Sequence, residues 1–310
     1  MLKYVIKRLI IGIGTLIVIV FILFSILQYM PGSPFNDERL TGEQVERLNE
    51  KYELDKPVII RFKTYMFNLL KGDFGDSYVI QKNMPISEML GKRFQVTIRI
   101  GLQAMVIGLV VGLFLGIVAA IWHNTILDPI TSLFSMLGAS IPSYVFALIL
   151  MYFVAYKLGA FPILYSETKS FASTILPSIA LAMLPIANIA RFSRSEMVDV
   201  LNSEYIILAQ AKGIGKWGII FKHAIRNALI PILTVVSPIL VGMILGSTVI
   251  ESIYSIPGIG SLFIMAIQVN DYNVIISIAF VYSVLFISVM LLVDILYGII
   301  DPRIRLAKDE

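Results

Sequence analysis

The chain has 310 residues, 57% of them apolar and only 15% charged, with a mean hydropathy of +0.84 and a formal net charge of +4. A soluble domain runs about 45–50% apolar and about 25% charged, so this composition cannot be covered by a polar surface in water; a soluble enzyme, a disordered protein and a coiled coil are excluded, and a polytopic membrane protein remains. Zero cysteines remove disulfides, thiolate metal sites and cysteine nucleophiles, and two histidines, His123 and His223, are too few for a histidine-rich metal site.

A helix needs about 20 apolar residues to cross a bilayer core. Six stretches free of Asp, Glu, Lys, Arg and His meet this length: Leu9–Met30, Ile100–Trp122, Pro129–Tyr156, Phe171–Ala190, Ala228–Ile250 and Val274–Val293. They predict an all-α membrane protein of six transmembrane helices with both termini on one side. Lys3, Lys7 and Arg8 before the first stretch resemble the start of a signal peptide. Its 22 residues exceed a signal h-region, no A-x-A-like site follows, and Met30-Pro-Gly-Ser-Pro34 ends the helix, so it reads as an uncleaved anchor.

Between the first two spans lies a long polar segment, 31–95. Thr41-x-x-Gln44 is a capping box that opens a short charged helix to about Tyr52. Asp55-Lys-Pro57 restarts a helix with proline in its first turn. Val58, Ile59, Phe62, Met66, Leu69 and Leu70 recur at helical spacing, Lys71-Gly72 closes the helix, and Gly72-Asp-Phe-Gly75 is a turn. A small folded insertion is expected, either packed on the span tops or offering a docking surface. In the second span Gly108, Gly112 and Gly116 form two G-x-x-x-G steps that permit close helix contact. Pro142, Pro177, Pro185, Pro231 and Pro238 invite kinks in the later spans.

After the fourth span, Arg191–Leu201 extends the helix beyond the bilayer. Asn202 and Ser203 cap a short helix, Glu204–Lys212, which Gly213 ends in a left-handed conformation. A second helix over about Lys216–Asn227 puts Trp217, Ile220, Phe221 and Ala224 on one stripe. This elbow, net +3 over 191–227, is either a lever for a soluble motor or an interfacial helix on acidic lipid. Glu251–Phe263 is apolar but too short to cross; its Pro257-Gly258 break predicts a loop plus a short interfacial helix, as an outer gate or as a plug. Asp294 reads as an ion-pair or helix-end residue.

Lysine and arginine set the orientation. Lys3, Lys7, Arg8, Arg191, Arg194, Lys212, Lys216, Lys222, Arg226, Arg303, Arg305 and Lys308 fall on one side, and only Lys157 and Lys169 on the opposite short loops. Both termini and 191–227 are therefore expected in the cytoplasm, and 31–95 outside. In such a chain the basic residues report topology and the partner surface is membrane lipid; no nucleic acid is implied. The spans carry almost no ionisable group deep in the bilayer, which argues against a proton- or ion-coupled secondary carrier. H-E-x-x-H, G-x-S-x-G and G-x-x-x-x-G-K-[ST] are all absent, so the chain is not expected to be an enzyme or to hydrolyse ATP itself.

Taken together, several segments resemble the integral membrane permease subunits of bacterial peptide ABC importers, the oligopeptide/dipeptide/nickel permease family, and most of all its oligopeptide permease B subunits. They are Met30-Pro-Gly-Ser-Pro34, Leu54-Asp-Lys-Pro57, Asn68-Leu-Leu-Lys-Gly-Asp-Phe-Gly75, Ala211-Lys-Gly213, His223-Ala-Ile-Arg-Asn-Ala-Leu-Ile-Pro231, Glu251–Gly260, Leu292-Val-Asp-Ile-Leu-Tyr297 and Asp301-Pro-Arg-Ile-Arg305. The resemblance implies oligopeptide import, with nickel or another small solute as the alternative cargo. It implies 1–30 as a cytoplasmic N-terminus and first helix, 31–95 as the extracellular insertion, and 96–310 as the transporter core. It implies a second permease, two ABC ATPases that bind ATP–Mg, an extracellular peptide-binding protein and a bacterial cell membrane, with no cofactor on this chain. The family's coupling motif, Glu-Ala-Ala-x-x-x-Gly in general form, falls on Ile207-Leu-Ala-Gln-Ala-Lys-Gly213. Its Glu is missing at that spacing, although Glu204 is near, and Arg226 stands where the general form has Leu-Pro, a departure the peptide branch shares. The implied ATPase contacts are Glu204, Ala209, Ala211, Lys212 and Gly213. Glu43, Glu46 and Glu50 are the implied docking residues for the binding protein.

Overall fold

The computed structural model describes residues 2–29, 35, 41–245 and 248–300. Every regular element among them is helical. The Met30–Pro34 and Asp301–Arg305 motifs lie outside the described residues, as does the side chain of Asp294. In chain order the helices are α1 Leu2–Tyr29, α2 Gly42–Lys51, α3 Val58–Leu70, α4 Ile86–Ile121, α5 Leu127–Ser140, α6 Ser143–Leu150, α7 Ser170–Leu201, α8 Glu204–Ala211, α9 Lys216–Gly218, α10 Ile225–Leu245, α11 Thr248–Ile253, α12 Ile259–Gln268 and α13 Tyr272–Ile300. Two π-helical stretches, Met151–Lys157 and Ile219–Ala224, continue α6 and join α9 to α10.

Four helical stretches among the described residues are long and apolar enough to cross a membrane. They fall in α1, α4, α7 and α13, where four of the six spans are expected. The expected third span is not one straight helix: α5 and α6 meet at a 101° bend. Ile141 there is extended, with ψ 121°, as the residue before a proline must be. The expected fifth span corresponds to α10, 21 residues with Pro231 and Pro238 inside.

The chain forms two compact units, residues 1–96 with 257–292, and 97–256 with the chain from 293 onward. In the first, Val20, Phe24 and Leu27 of α1, Tyr65 of α3, Ile86, Met89 and Leu90 of α4, Leu262 and Ala266 of α12, and Ile275 and Ile278 of α13 form one buried cluster. Thr41 caps α2 as its box predicts: its side chain accepts from the Gln44 N–H, and the Gln44 side chain accepts from the Thr41 N–H at 2.9 Å. Pro57 sits one position before the expected first turn of α3, as its N-cap. The stripe of α3 is also rotated from expectation. Val58, Phe62, Tyr65, Met66 and Leu69 pack inward, whereas Ile59 and Leu70 are 50% and 83% exposed.

A fully buried carboxylate, Asp271, organises the loop after α3. The Ser77 hydroxyl donates to it at 2.6 Å, and the successive N–H groups of Tyr78, Val79 and Ile80 donate at 3.1, 3.0 and 3.1 Å. Three consecutive amides around one anion form a nest. Next to it the Asn273 amide donates to the Asp76 carbonyl at 3.0 Å. Gly75 turns at φ +74°, and a Cβ there would stand 2.5 Å from that amide, so conformation and space both require glycine.

The second unit is built on α7, which packs against α5, α6, α10 and α11. A Cβ added at Gly108, Gly112 or Gly116 of α4 would come within 3.0 Å of Pro185, 2.8 Å of Ile189 and 2.5 Å of the Ala190 carbonyl, so the glycines do bring two backbones together. On the π-helical end of α6, Tyr152 and Tyr156 stack with centroids 5.9 Å apart and Lys157 lies over Tyr152, a composition suited to a membrane–water interface. The expected plug or gate begins as α11, tied down by the Tyr254 hydroxyl donating to the Ala147 carbonyl at 2.9 Å and by Thr97 donating to the fully buried Glu251 at 2.7 Å.

Asp271→Ala leaves three amides and a hydroxyl without their acceptor, at about 1–3 kcal/mol for each group that stays dry. The variant is expected to insert normally but to lose several degrees of thermal stability in detergent, and trypsin should cut at Lys71 and Lys82 faster than in the parent. Unchanged cleavage and melting would mean that the nest does not hold this loop.

Candidate functional site

The elbow after α7 is built by local backbone chemistry. Asn202 ends α7, and Ser203 starts α8 with extended backbone at φ −75° and ψ 152°. The Ser203 hydroxyl makes no cap to α8; it donates backward to the Val200 carbonyl at 2.6 Å. This corrects the expected side-chain cap: the hydroxyl closes the old helix rather than opening the new one. Gly213 does end α8 as expected, at φ +80°. Its N–H donates to the Gln210 carbonyl at 2.9 Å and the Ile214 N–H to the Ala209 carbonyl at 3.2 Å, the paired bonds of a Schellman motif. The apolar contact that accompanies this motif is present, since Ile214 packs on the cluster of Ile206, Ala209 and Ile219.

Among the five predicted coupling residues, Glu204, Ala211, Lys212 and Gly213 are exposed, whereas Ala209 is 7% exposed and packs beneath α8. Ala209 therefore sets the seat of the helix. The predicted stripe on the second helix divides as well. Ile219, Ile220 and Ala224 are buried, while Trp217 and Phe221 are 56% and 67% exposed and stack with centroids 6.0 Å apart. The π-helical turn over Ile219–Ala224 shifts the register that a 3.6-residue period assumes, so the stripe rotates between 217 and 224. On α8, Tyr205, Ile207 and Leu208 are exposed too. A short helix that is apolar both inward and outward has a surface suited to burial against another body. The unbroken apolar run Tyr-Ile-Ile-Leu-Ala after Glu204 carried that signal in the sequence.

A second feature gave no local signal. Asp128, at the start of α5, is 8% exposed at its side chain and accepts a bidentate pair from Arg194 of α7, Nε to Oδ1 at 2.5 Å and Nη2 to Oδ2 at 2.7 Å. His123 Nδ1 lies 2.8 Å from the same Oδ2, and the Asn124 N–H donates to it at 3.3 Å. Arg194, read from the sequence as a topology marker, thus anchors the extension of α7 that leads into the elbow. A cavity of about 340 Å³ lies alongside, lined by Thr131, Ser132, Ser135, Asn188, Arg191 and Arg194 among others.

On the other unit, Glu43, Glu46 and Glu50 are all exposed on α2, spaced three and four residues apart on one face. Among the described residues no group of three or more His, Cys, Asp or Glu is placed to hold a metal ion.

Comparison with known proteins bears on these surfaces. Residues 112–306 match the family described as binding-protein-dependent transport system inner membrane component. The dipeptide transport system permease protein DppB of Lactococcus lactis subsp. cremoris is 42% identical over 306 residues, 99% of this chain and 100% of the relative. DppB of Bacillus subtilis is 40% identical, with 99% of both chains covered. The oligopeptide transport system permease protein OppB of Haemophilus influenzae is 39% identical, over 98% of this chain and 100% of the relative. Among solved structures, a chain of the MetNI methionine ABC transporter in inward-facing form superposes with a TM-score of 0.58 at 16% identity, over 69% of this chain and 96% of that one. At that identity the likeness speaks for the fold, an ABC-transporter permease bundle. The match over well over half the chain and the full-length relatives establish the family: this chain belongs to the inner membrane components of binding-protein-dependent transport systems.

Proposed function

We propose that the chain is the pore-forming, non-hydrolysing permease subunit of an ABC importer for oligopeptides. The observation that carries this is the elbow. A capped helix ended by Gly213 exposes Tyr205, Ile207 and Leu208 together with Glu204 and Lys212, at the end of a helix buried along much of its length. That is a surface for a soluble partner to push. In this reading it seats in an ATPase subunit, and nucleotide-driven closure on that subunit moves α7 and turns the bundle between inward- and outward-open states. Residues 1–30 and 96–310 supply six spans with both termini in the cytoplasm, and 31–95 supplies the outer insertion. Two ATPases bind the ATP–Mg, a second permease completes the path, and α2 with Glu43, Glu46 and Glu50 receives the peptide-binding protein. The full-length likeness to peptide permeases supports a peptide cargo. Dipeptide import is the second reading, because relatives named for dipeptides stand at 42% and 40% identity beside one named for oligopeptides at 39%.

Uptake of labelled peptides by a strain lacking the gene tests the cargo. A labelled pentapeptide should enter at background rate in the deletion strain and at the parental rate on complementation, with nickel uptake unchanged. Loss confined to dipeptides would select the second reading, and unaltered uptake of both would end the peptide reading.

The coupling role predicts a graded series at Gly213. No atom lies within 4 Å of an added Cβ, so substitution strains the backbone alone. Asn tolerates the left-handed region and a β-branched residue does not, with a difference of about 1–2 kcal/mol. Gly213→Asn is expected to keep most uptake. Gly213→Val should insert at normal levels yet lose most uptake and the ATPase response to loaded binding protein, and Glu204→Ala should have a mild effect. Normal transport by Gly213→Val would remove this surface from coupling.

A further inference from the structure

The outer insertion contains a helix, α3, whose exposed side carries large apolar residues along with Lys63 and Thr64. Nine of the thirteen residues of α3, Val-Ile-Ile-Arg-Phe-Lys-Thr-Tyr-Met-Phe-Asn-Leu-Leu, are apolar or aromatic. Its inner face is taken by Phe62 and Tyr65 against α1 and α13. Its outer face is exposed at Ile59 by 50%, Ile60 by 45%, Phe67 by 60% and Leu70 by 83%. A helix that is apolar on its outer side as well as its inner one, with lysines to reach headgroups, suits a place within a leaflet. Left in water, four large apolar side chains on one face would be an association hazard.

The contacts of the inner face fix the depth. Phe62 meets Phe21 and Phe24 with ring centroids 5.3 and 5.8 Å away, and Tyr65 meets Phe24 at 5.3 Å. The charge-free part of α1 runs from Leu9 to Tyr29. At 1.5 Å per residue it is about 32 Å long, close to the hydrocarbon thickness of about 30 Å. Phe24 and Phe21 then lie about 8 and 12 Å below its end, inside the leaflet of half that thickness. A helix that packs on them at that depth shares their solvent. The exposed face of α3 is continuous in character with that of α1, where Ile22 and Ile26 are 50% and 56% exposed.

We propose that α3 is embedded in the bilayer leaflet at the C-terminal end of α1, with Ile59, Ile60, Phe67 and Leu70 against acyl chains. Lys63 and Lys71 carry long stems that reach the headgroups from this position, and Lys71 Nζ already lies 4.2 Å from the Phe67 ring centroid. The lipid anchor holds the base of the insertion at a fixed height, and α2 stands in water above it. The inference rests on the membrane placement of α1 and is independent of cargo.

The chain has no cysteine, so it adds no labelling background of its own, and the cysteine-free parent carried through the same purification supplies the blank for the other subunits. Ile60→Cys, Phe67→Cys and Leu70→Cys would be labelled in the full-length chain, purified with the subunits that accompany it from its own membrane and placed in phospholipid nanodiscs. Ile22→Cys is the lipid reference and Arg47→Cys the water reference. Power-saturation measurements with oxygen and with a water-soluble nickel chelate then give depth. Labels at 60, 67 and 70 should match Ile22→Cys, with oxygen accessibility several-fold above that of the chelate. High chelate accessibility, as at Arg47→Cys, would put the face in water and overturn the proposal. Low accessibility to both reagents would put it under another protein chain and overturn it equally.

Discussion

In a bilayer the apolar effect gives no reason for one helix to prefer another over lipid, so close packing must hold a bundle together. Here that constraint is met where α4 crosses α7. Gly108, Gly112 and Gly116 leave no room for a single methyl group against Pro185, Ile189 and the Ala190 carbonyl. Everything else in that unit builds on α7: α5 and α6 pack along it, α10 packs beside it, and fourteen of its thirty-two residues are buried. The same helix continues past Ala190 into the elbow. One continuous element therefore joins the packed bundle to the exposed surface that we propose meets a soluble partner. Pro177 and Pro185 lie inside α7 without breaking it. Pro185 lies where Gly108 approaches, so the neighbouring backbone fills the space beside it.

Two buried carboxylates stand at or just before helix starts and are engaged there. Asp271 stands immediately before α13 and gathers three amides and a hydroxyl; Asp128 stands at the start of α5 and takes a bidentate arginine. Each is a buried anion, and breaking such a pairing by removing one partner is far costlier than the pair is stabilising. Both therefore act as fasteners between segments distant in sequence. In the function we propose, energy for transport arrives from a partner subunit and enters at the elbow.

What the sequence disclosed and what it hid divide along the range of the interactions. The Thr41–Gln44 box, the left-handed Gly213 and the turn at Gly72–Gly75 are made within a few residues, and all were legible. Helical faces were legible only roughly. On α3 the expected stripe took in Ile59 and Leu70 and passed over Tyr65, because nine of its thirteen residues are apolar or aromatic and leave little contrast to read. On the elbow the π turn rotated the stripe away from Trp217 and Phe221. The bend between α5 and α6 was hidden inside one apolar run, with Pro142 as its sole local sign. The bonds from Ser77 to Asp271 and from Asp128 to Arg194 join residues 194 and 66 positions apart, and no local pattern announces either.

The central claim is that motion enters at the elbow and is carried by α7, whose extension the Asp128–Arg194 pair holds in place. The most direct measurement is the ratio of ATP hydrolysed to peptide imported in proteoliposomes containing the complete importer, for Asp128→Asn, Arg194→Gln and the charge-swapped double variant Asp128→Arg/Arg194→Asp. Each single change should raise the ratio severalfold by slackening the lever, with ATP hydrolysis itself preserved, and the swap should recover part of the loss. Single variants with the parental ratio, or a swap no better than the worse single change, would contradict the account.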